Sequence, residues 1–289
     1  MIVSDRPHRV GSRPWIKWPL IATGGALALL IIGLPIVLIF TSAFSMGVDA
    51  YLEKIMEPDT LNSVWLTLLT ALIVLPVNII FGLCAAWAIT RFEFPGRQAL
   101  ISLIELPFSI SPIVVGVAYL FLYGMQGFWG TFLNAHGLQV MFAIPAIILV
   151  SLFVTTPFVA HELIQHMQTQ GSDDEEAAMS LGANGLQMFF RVTLPNIRWS
   201  LLYGVILCNA RAMGEFGAVS VVSGSIRGQT NTLPLQIELL FNDYNVVGAF
   251  AASTLLAAIA LVTLVAKWLV ERYGHEAGQA IASRPDRKD

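Results

Sequence analysis

Charge is scarce in this chain. Only 12% of its 289 residues are Asp, Glu, Lys or Arg, against about 25% in soluble globular proteins. Apolar residues make up 56%, and the mean hydropathy is +0.70. Such a composition excludes an ordinary soluble domain. Cysteine is nearly absent. Cys84 and Cys208 fall in different apolar runs, with no spacing for a disulfide framework or metal pair, and read as two small buried hydrophobes. No G-x-x-x-x-G-K-[ST] occurs, so the chain offers no phosphate cradle for ATP. No G-x-S-x-G nucleophile elbow is present either. His161-Glu162 and His166 lack the i,i+4 spacing of H-E-x-x-H. Five residues apart, the two histidines diverge by about 140° on a helix. No basic stripe with interleaved aromatics suggests nucleic acid. Low-complexity tracts, internal repeats and a soluble domain are missing too.

What remains is long apolar runs. Barrel strands would give short alternating segments instead. Six runs are long enough to cross a bilayer, which takes roughly 20 residues: 18–44, 61–90, 99–123, 141–162, 196–222 and 246–271. The expected class is all-α integral membrane, with six transmembrane helices. Arg6, Arg9, Arg13 and Lys17 precede the first run as in a signal peptide. That run exceeds the roughly 7–15 residues of a signal core, and is read as a retained helix.

Six crossings put both termini on one side. With a cytoplasmic N-terminus, thirteen of the sixteen Lys and Arg are cytoplasmic, Lys54 and Arg227 lie opposite, and Arg211 is inside a run. That asymmetry is a strong positive-inside signal. Trp15, Trp18, Trp87, Trp199 and Trp268 fall near cytoplasmic ends, and Trp65 and Trp129 near outer ends. The organisation expected is a cytoplasmic tail at 1–17, a first helix and outer loop at 18–60, a core at 61–271, and a polar tail at 272–289, mobile beyond Gly274.

The longest cytoplasmic loop, 163–195, is patterned as a helical hairpin. Ser172-Asp173-Asp174-Glu175 matches the S-x-x-E capping box, and the acids from Asp173 to Glu176 suit a helix N-terminus. Gly182 is a natural stop. Asn184 and Gln187 form a second reciprocal cap, and Pro195 marks the turn into the next run. Phe189 and Phe190 are poorly suited to water. An acidic block disfavours an anionic lipid surface, so a protein dock is the better reading.

These residues carry a resemblance. Glu176-Ala177-Ala178, Gly182, Val192 and Leu194-Pro195 resemble the EAA loop of ABC-importer permeases, with Val in place of the usual Ile. The stretch from Asn209 to Leu240 resembles the sulfate/thiosulfate permeases of W-subunit type, and Leu106 to Leu120 resembles the oxyanion permease branch. The likeness covers nearly all of the chain outside the termini. It implies a type I (MetI-like) permease fold whose loop at 172–195 is a coupling-helix hairpin. Glu176, Ala177, Ala178, Gly182, Leu194 and Pro195 would dock an ATPase. It also implies two copies of that ATPase, a second homologous permease, a periplasmic sulfate/thiosulfate-binding protein, and a place in a bacterial inner membrane. ATP would be used by the partner, with no cofactor, metal or catalytic residue in this chain.

Arg211 and Glu215 lie inside the fifth run, about 18 Å in from Trp199 for Arg211. An intramembrane charge is expensive and faces a bundle interior or a wet path. The i,i+4 spacing lets them pair. Either Arg211 offers its charge to a crossing oxyanion, or the pair is a permanent lock. Pro107 and Pro112 imply a kinked or opened third span, by packing or to line a path; Glu105 sits near its cytoplasmic end. The outer loop with Ser223, Ser225 and Arg227 reads as a plain turn or an outer-mouth contact. The expected function is import of sulfate and thiosulfate by alternating access. A molybdate or tungstate permease is the near alternative. An ion-gradient-driven carrier or channel without an ATPase is the alternative of another class.

Overall fold

The computed structural model describes residues 14–282, and among them every regular element is a helix. Residues 1–13 and 283–289, with the cytoplasmic charges expected there, lie outside the described part. α1 (Pro14–Ala28) passes through a wider π-helical turn (Leu29–Gly33) into α2 (Leu34–Ala43). Together they form an apolar rod over Lys17–Ala43 that is almost wholly exposed on this chain. α3 (Val48–Ile55) is a short helix, tied to the final helix by Tyr51 Oη and Thr254 Oγ1 at 2.9 Å. α4 (Pro58–Arg91) is 34 residues long. Then come α5 (Arg97–Ser109), α6 (Pro112–Tyr123), α7 (Gly130–Ala135) and the 27-residue α8 (Ile144–Gln170). A hairpin of α9 (Asp173–Ser180) and α10 (Gly185–Met188) leads through a π-helical turn (Phe189–Thr193) into α11 (Leu194–Met213). α12 (Gly217–Val222), α13 (Leu233–Asn242) and α14 (Val246–Ala282) complete the chain. Proline starts many of these helices. Pro58, Pro112, Pro145, Pro195 and Pro234 stand at a first or second helical position, where a missing N–H leaves no bond unmade.

Four segments are long and apolar enough to cross a membrane: Lys17–Ala43, Pro58–Arg91, Ile144–Gln170 and Val246–Leu269. A fifth is the pair α5 and α6, bent by 110° at Ser109–Pro112. Of the kinked or opened third run expected, the structure shows the opened one. Pro112 supplies the first residue of the new helix, and residues before a proline avoid helical dihedrals. α11 stands outside that set: its 20 residues include Asn196, Arg198, Asn209 and Arg211. The expected continuous run 196–222 is interrupted after Met213, and α12 starts afresh at Gly217. At the other end, α14 continues to Ala282 where a polar tail was expected from 272.

The core is a three-helix contact of α4, α8 and α11. Ala85, Ala86, Ile89, Val159, Ala160, Leu163, Ile197 and Cys208 are buried in it. In lipid no hydrophobic force favours helix over tail, so close packing and polar bonds must hold such a bundle. Both are present. Val159 wedges between glycines: a Cβ on Gly82 would stand 2.7 Å from its Cγ1, and one on Gly204 3.2 Å from its Cα. One layer away, Asn78 Nδ2 donates to Thr155 Oγ1 at 2.7 Å and to Cys208 Sγ at 3.5 Å. Thr156 Oγ1 donates to Asn78 Oδ1 at 3.3 Å. One asparagine thus joins all three helices.

Candidate functional site

The hairpin is built by local chemistry at its corner. Gly182 has φ +87°. Its N–H donates to Met179 O at 2.9 Å, and Ala183 N–H to Ala178 O at 3.1 Å, which is the Schellman closure of a helix. The second helix starts as expected. Asn184 Oδ1 accepts from Gln187 N at 2.8 Å, and Gln187 Oε1 from Asn184 N at 3.1 Å. The first capping box does not form. Ser172 makes no cap bond to the backbone; its Oγ donates to Glu176 Oε1 at 2.6 Å instead. Glu175 turns inward, away from the cap. Its Oε2 stands 2.5 Å from Arg91 Nε, and its Oε1 accepts from Thr193 Oγ1 at 2.7 Å. An opposite charge and a hydroxyl donor, both out of water, outweigh a single backbone N–H on the surface.

The two adjacent glutamates thus part company: Glu175 is buried, Glu176 exposed. Ala177 and Pro195 are exposed with Glu176, while Ala178 and Leu194 are half-buried. Beyond them the hairpin presents apolar side chains with nothing on them. Leu181 is 90% exposed and Leu186 71% exposed; Met179 and Phe190 are exposed too. Phe189 packs back on Trp87 of α4, ring centroids 5.1 Å apart. Arg91, read in the sequence only as a topology charge, proves central. Its Nη2 donates to Gly171 O at 2.8 Å and its Nη1 to Met167 O at 3.4 Å. The signal was faint: two neighbouring glutamates stand about 100° apart on a helix, so only one can face out.

Within the apolar region, Arg211 and Glu215 form an ion pair. They do not share one helix face as expected, because α11 ends at Met213 and Glu215 lies in the interruption. The pair is asymmetric: the Glu215 side chain is 1% exposed and that of Arg211 32%. Glu215 Oε1 also accepts from Ala218 N at 2.9 Å, capping α12. One carboxylate therefore holds both ends of a broken helix, while the guanidinium reaches a surface this chain leaves uncovered. α12 packs on α6, so this break lies beside the break in the third run. Glu105 is half-exposed, with Oε1 3.8 Å from His161 Nδ1. Among the described residues, no three His, Cys, Asp or Glu gather as metal ligands.

The outer-loop residues are engaged in building a turn. Ser223 is fully buried and its Oγ accepts from Ser225 N at 3.2 Å. Thr230 Oγ1 accepts from Ile226 N at 3.0 Å. Arg227 is ion-paired with Asp243. Ser225 and Arg227 are exposed. These contacts are those of a turn.

Comparison with known proteins agrees with this architecture. Residues 78–275 match the family described as binding-protein-dependent transport system inner membrane component. The sulfate transport system permease protein CysW of Escherichia coli (strain K12) is 54% identical over 265 residues, 91% of each chain. The protein of that name from Synechocystis sp. is 47% identical over 261 residues, 90% of this chain and 95% of the relative. The CysT permease of Salmonella typhimurium is 34% identical, over 85% of this chain and 89% of the relative. A solved bacterial alginate ABC transporter, in complex with an alginate pentasaccharide-bound periplasmic protein, superposes with TM-score 0.75 at 18% identity. The match covers 90% of this chain and 95% of that one, and it speaks for the fold alone. The chain belongs to the family of binding-protein-dependent transport system inner membrane components.

Proposed function

We propose that this chain is a non-catalytic permease subunit of an ATP-driven importer of sulfate and thiosulfate in a bacterial inner membrane. One observation carries the reading: a rigid helical hairpin ends in exposed Leu181 and Leu186, on a chain without a phosphate-binding loop of its own. An exposed apolar tip of this kind is the mark of a protein contact. The names of relatives that cover nearly all of this chain support sulfate as cargo.

Six crossings follow when α5–α6 and α11–α12 each count as one broken span beside the four long segments. Both termini and the hairpin then share the cytoplasmic side, as the positive charges favour. Two copies of an ATPase seat below, a second homologous permease packs beside, and a periplasmic binding protein delivers the anion from above. ATP is held by the ATPase, and this chain binds no cofactor. Closure of the ATPase pair draws the hairpins together and reopens the helices outward. Arg211 supplies positive charge along the path, held in place by buried Glu215. In a dry path such a charge acts far more strongly than in water.

The test is purification of the complex with Leu181→Asp and Leu186→Asp. The expected result is loss of the ATPase and of sulfate uptake, with the permease still folded. Sulfate uptake by the isolated chain without any ATPase would mean a gradient-driven carrier. ATPase stimulation by molybdate, and by neither sulfate nor thiosulfate, would reassign the cargo.

A further inference from the structure

The docking hairpin is fastened to the membrane helices near one end. Two residues, Gly171 and Ser172, separate α8 from α9. Gly171 has φ +80° and open space around it, so the sequence provides a ready hinge. Arg91, the last residue of α4, spans that hinge. One nitrogen each reaches Met167 O at 3.4 Å, Gly171 O at 2.8 Å and Glu175 Oε2 at 2.5 Å. The first two lie at the end of α8 and at the hinge; the third lies in the first turn of α9. Glu175 is held from its other side by Thr193 Oγ1 at 2.7 Å, just before α11. Asn196 Nδ2 adds a second tie to α9, on Asp174 Oδ2 at 3.0 Å. The ties to α9 itself all fall in its first turn. Its other end carries exposed Leu181 and closes on itself.

The pair is mostly out of water, with side-chain exposures of 13% for Arg91 and 8% for Glu175. Removing either partner strands a buried charge, so the link is held in one geometry. The planar guanidinium alone offers three nitrogens in fixed directions; a lysine has a single nitrogen at that reach. Without Arg91, α9 would keep its ties to Thr193 and Asn196 beside α11 and lose its link to α4 and the end of α8. With it, α9 moves as one body with the ends of α4 and α8.

We propose that Arg91, through Glu175, is the positioning residue that transmits displacement of the docked hairpin to α4 and α8, and so sets how much transport each ATP drives. The proposal rests on the hairpin being the ATPase dock. It does not require Arg91 to touch the ATPase.

The experiment uses the whole complex, with its ATPase and binding protein, in proteoliposomes. Retained ATPase, ATP hydrolysis and sulfate uptake are measured on the same preparations. In Arg91→Lys the ATPase stays bound and hydrolysis persists, while sulfate moved per ATP falls by at least about fivefold, the low end of an ordinary coupling between sites. Thr193→Val, which removes one donor from Glu175 and keeps the side-chain shape, lowers the same ratio by less. It serves as the deciding variant if Arg91→Lys does not accumulate. An unchanged sulfate-to-ATP ratio overturns the proposal. So does loss of bound ATPase in step with loss of uptake, which would make Arg91 part of the dock. Absence of ATPase from the wild-type complex overturns the docking reading itself, before any variant is compared.

Discussion

Pro112 and Gly217 touch where two interrupted helices meet: a Cβ on Gly217 would lie 3.1 Å from Pro112 Cβ. Each residue opens the second half of its broken element, α6 or α12. Broken helices expose backbone groups that a bilayer cannot satisfy, and they persist only where protein or water covers them. Glu215 supplies part of that cover through Ala218 N. Setting two breaks side by side gathers the irregular backbone in one place, next to Arg211. That is the arrangement expected of a transport path.

The seam depends on Gly116. A Cβ there would meet Ala218 O and Val221 Cβ, both at 2.8 Å. Backbone at that distance cannot move aside, so Gly116→Ala destabilises by about 1–3 kcal/mol. Gly217→Ala, whose nearest contact is at 3.1 Å, has the smaller effect. Thermal denaturation in detergent ranks the two; equal midpoints would contradict the packing.

Val159 sets a sign test in the core. Gly→Ala inside a helix ordinarily stabilises by about 0.5–1 kcal/mol. Gly24→Ala in α1, with open space around its Cβ, should follow that rule. Gly82→Ala should reverse it, because the new methyl would stand 2.7 Å from Val159 Cγ1 and 3.0 Å from Ala160 N. Val159→Ala in the same chain should recover part of the loss. Opposite shifts in melting temperature for the two glycine variants are the expected result.

Arg211→Ala leaves the Glu215 carboxylate buried with no opposite charge, a loss of about 3–5 kcal/mol. Glu215→Gln removes that charge and keeps an oxygen for Ala218 N. The double variant Arg211→Ala/Glu215→Gln should therefore fold near normally. Sulfate uptake and basal ATP hydrolysis then separate the two roles. We expect uptake to stay low in the double variant. Full uptake would make the pair a lock only.

Gly182→Ala forces an alanine to φ +87°, where an L-residue loses roughly 1–2 kcal/mol. The strain lies in the corner that orients Leu181 and Leu186, outside the bundle. ATPase retention should drop while the melting temperature of the permease alone barely moves. A fall in melting with full retention would show the corner to be part of the core.

Much of this molecule is local, and therefore legible in one dimension. Apolar runs, the Asn184–Gln187 cap, the Gly182 corner and the absence of a phosphate loop depend on residues near one another in the chain. The motifs that carry the resemblance are also local, in Glu176 to Pro195 and Asn209 to Leu240. Other features needed contacts that spacing cannot announce. Glu175 matched a capping box, but Arg91, 84 positions earlier, arrives beside it and takes the carboxylate. Arg211 and Glu215 fitted one continuous helix, but α11 ends at Met213 and the pair forms across the break.

Composition and pattern alone determined that this chain is a helical membrane protein with a capped helical hairpin between two of its apolar runs. Hydrophobicity, helix signals and motif spacing act over a few residues, and a chain carries them wherever it folds. Only the tertiary structure decided which charge is buried, where two helices break, and which arginine fastens the hairpin. Those outcomes turn on desolvation and on distance between segments far apart in sequence, and both arise only once α4, α8 and α11 have packed.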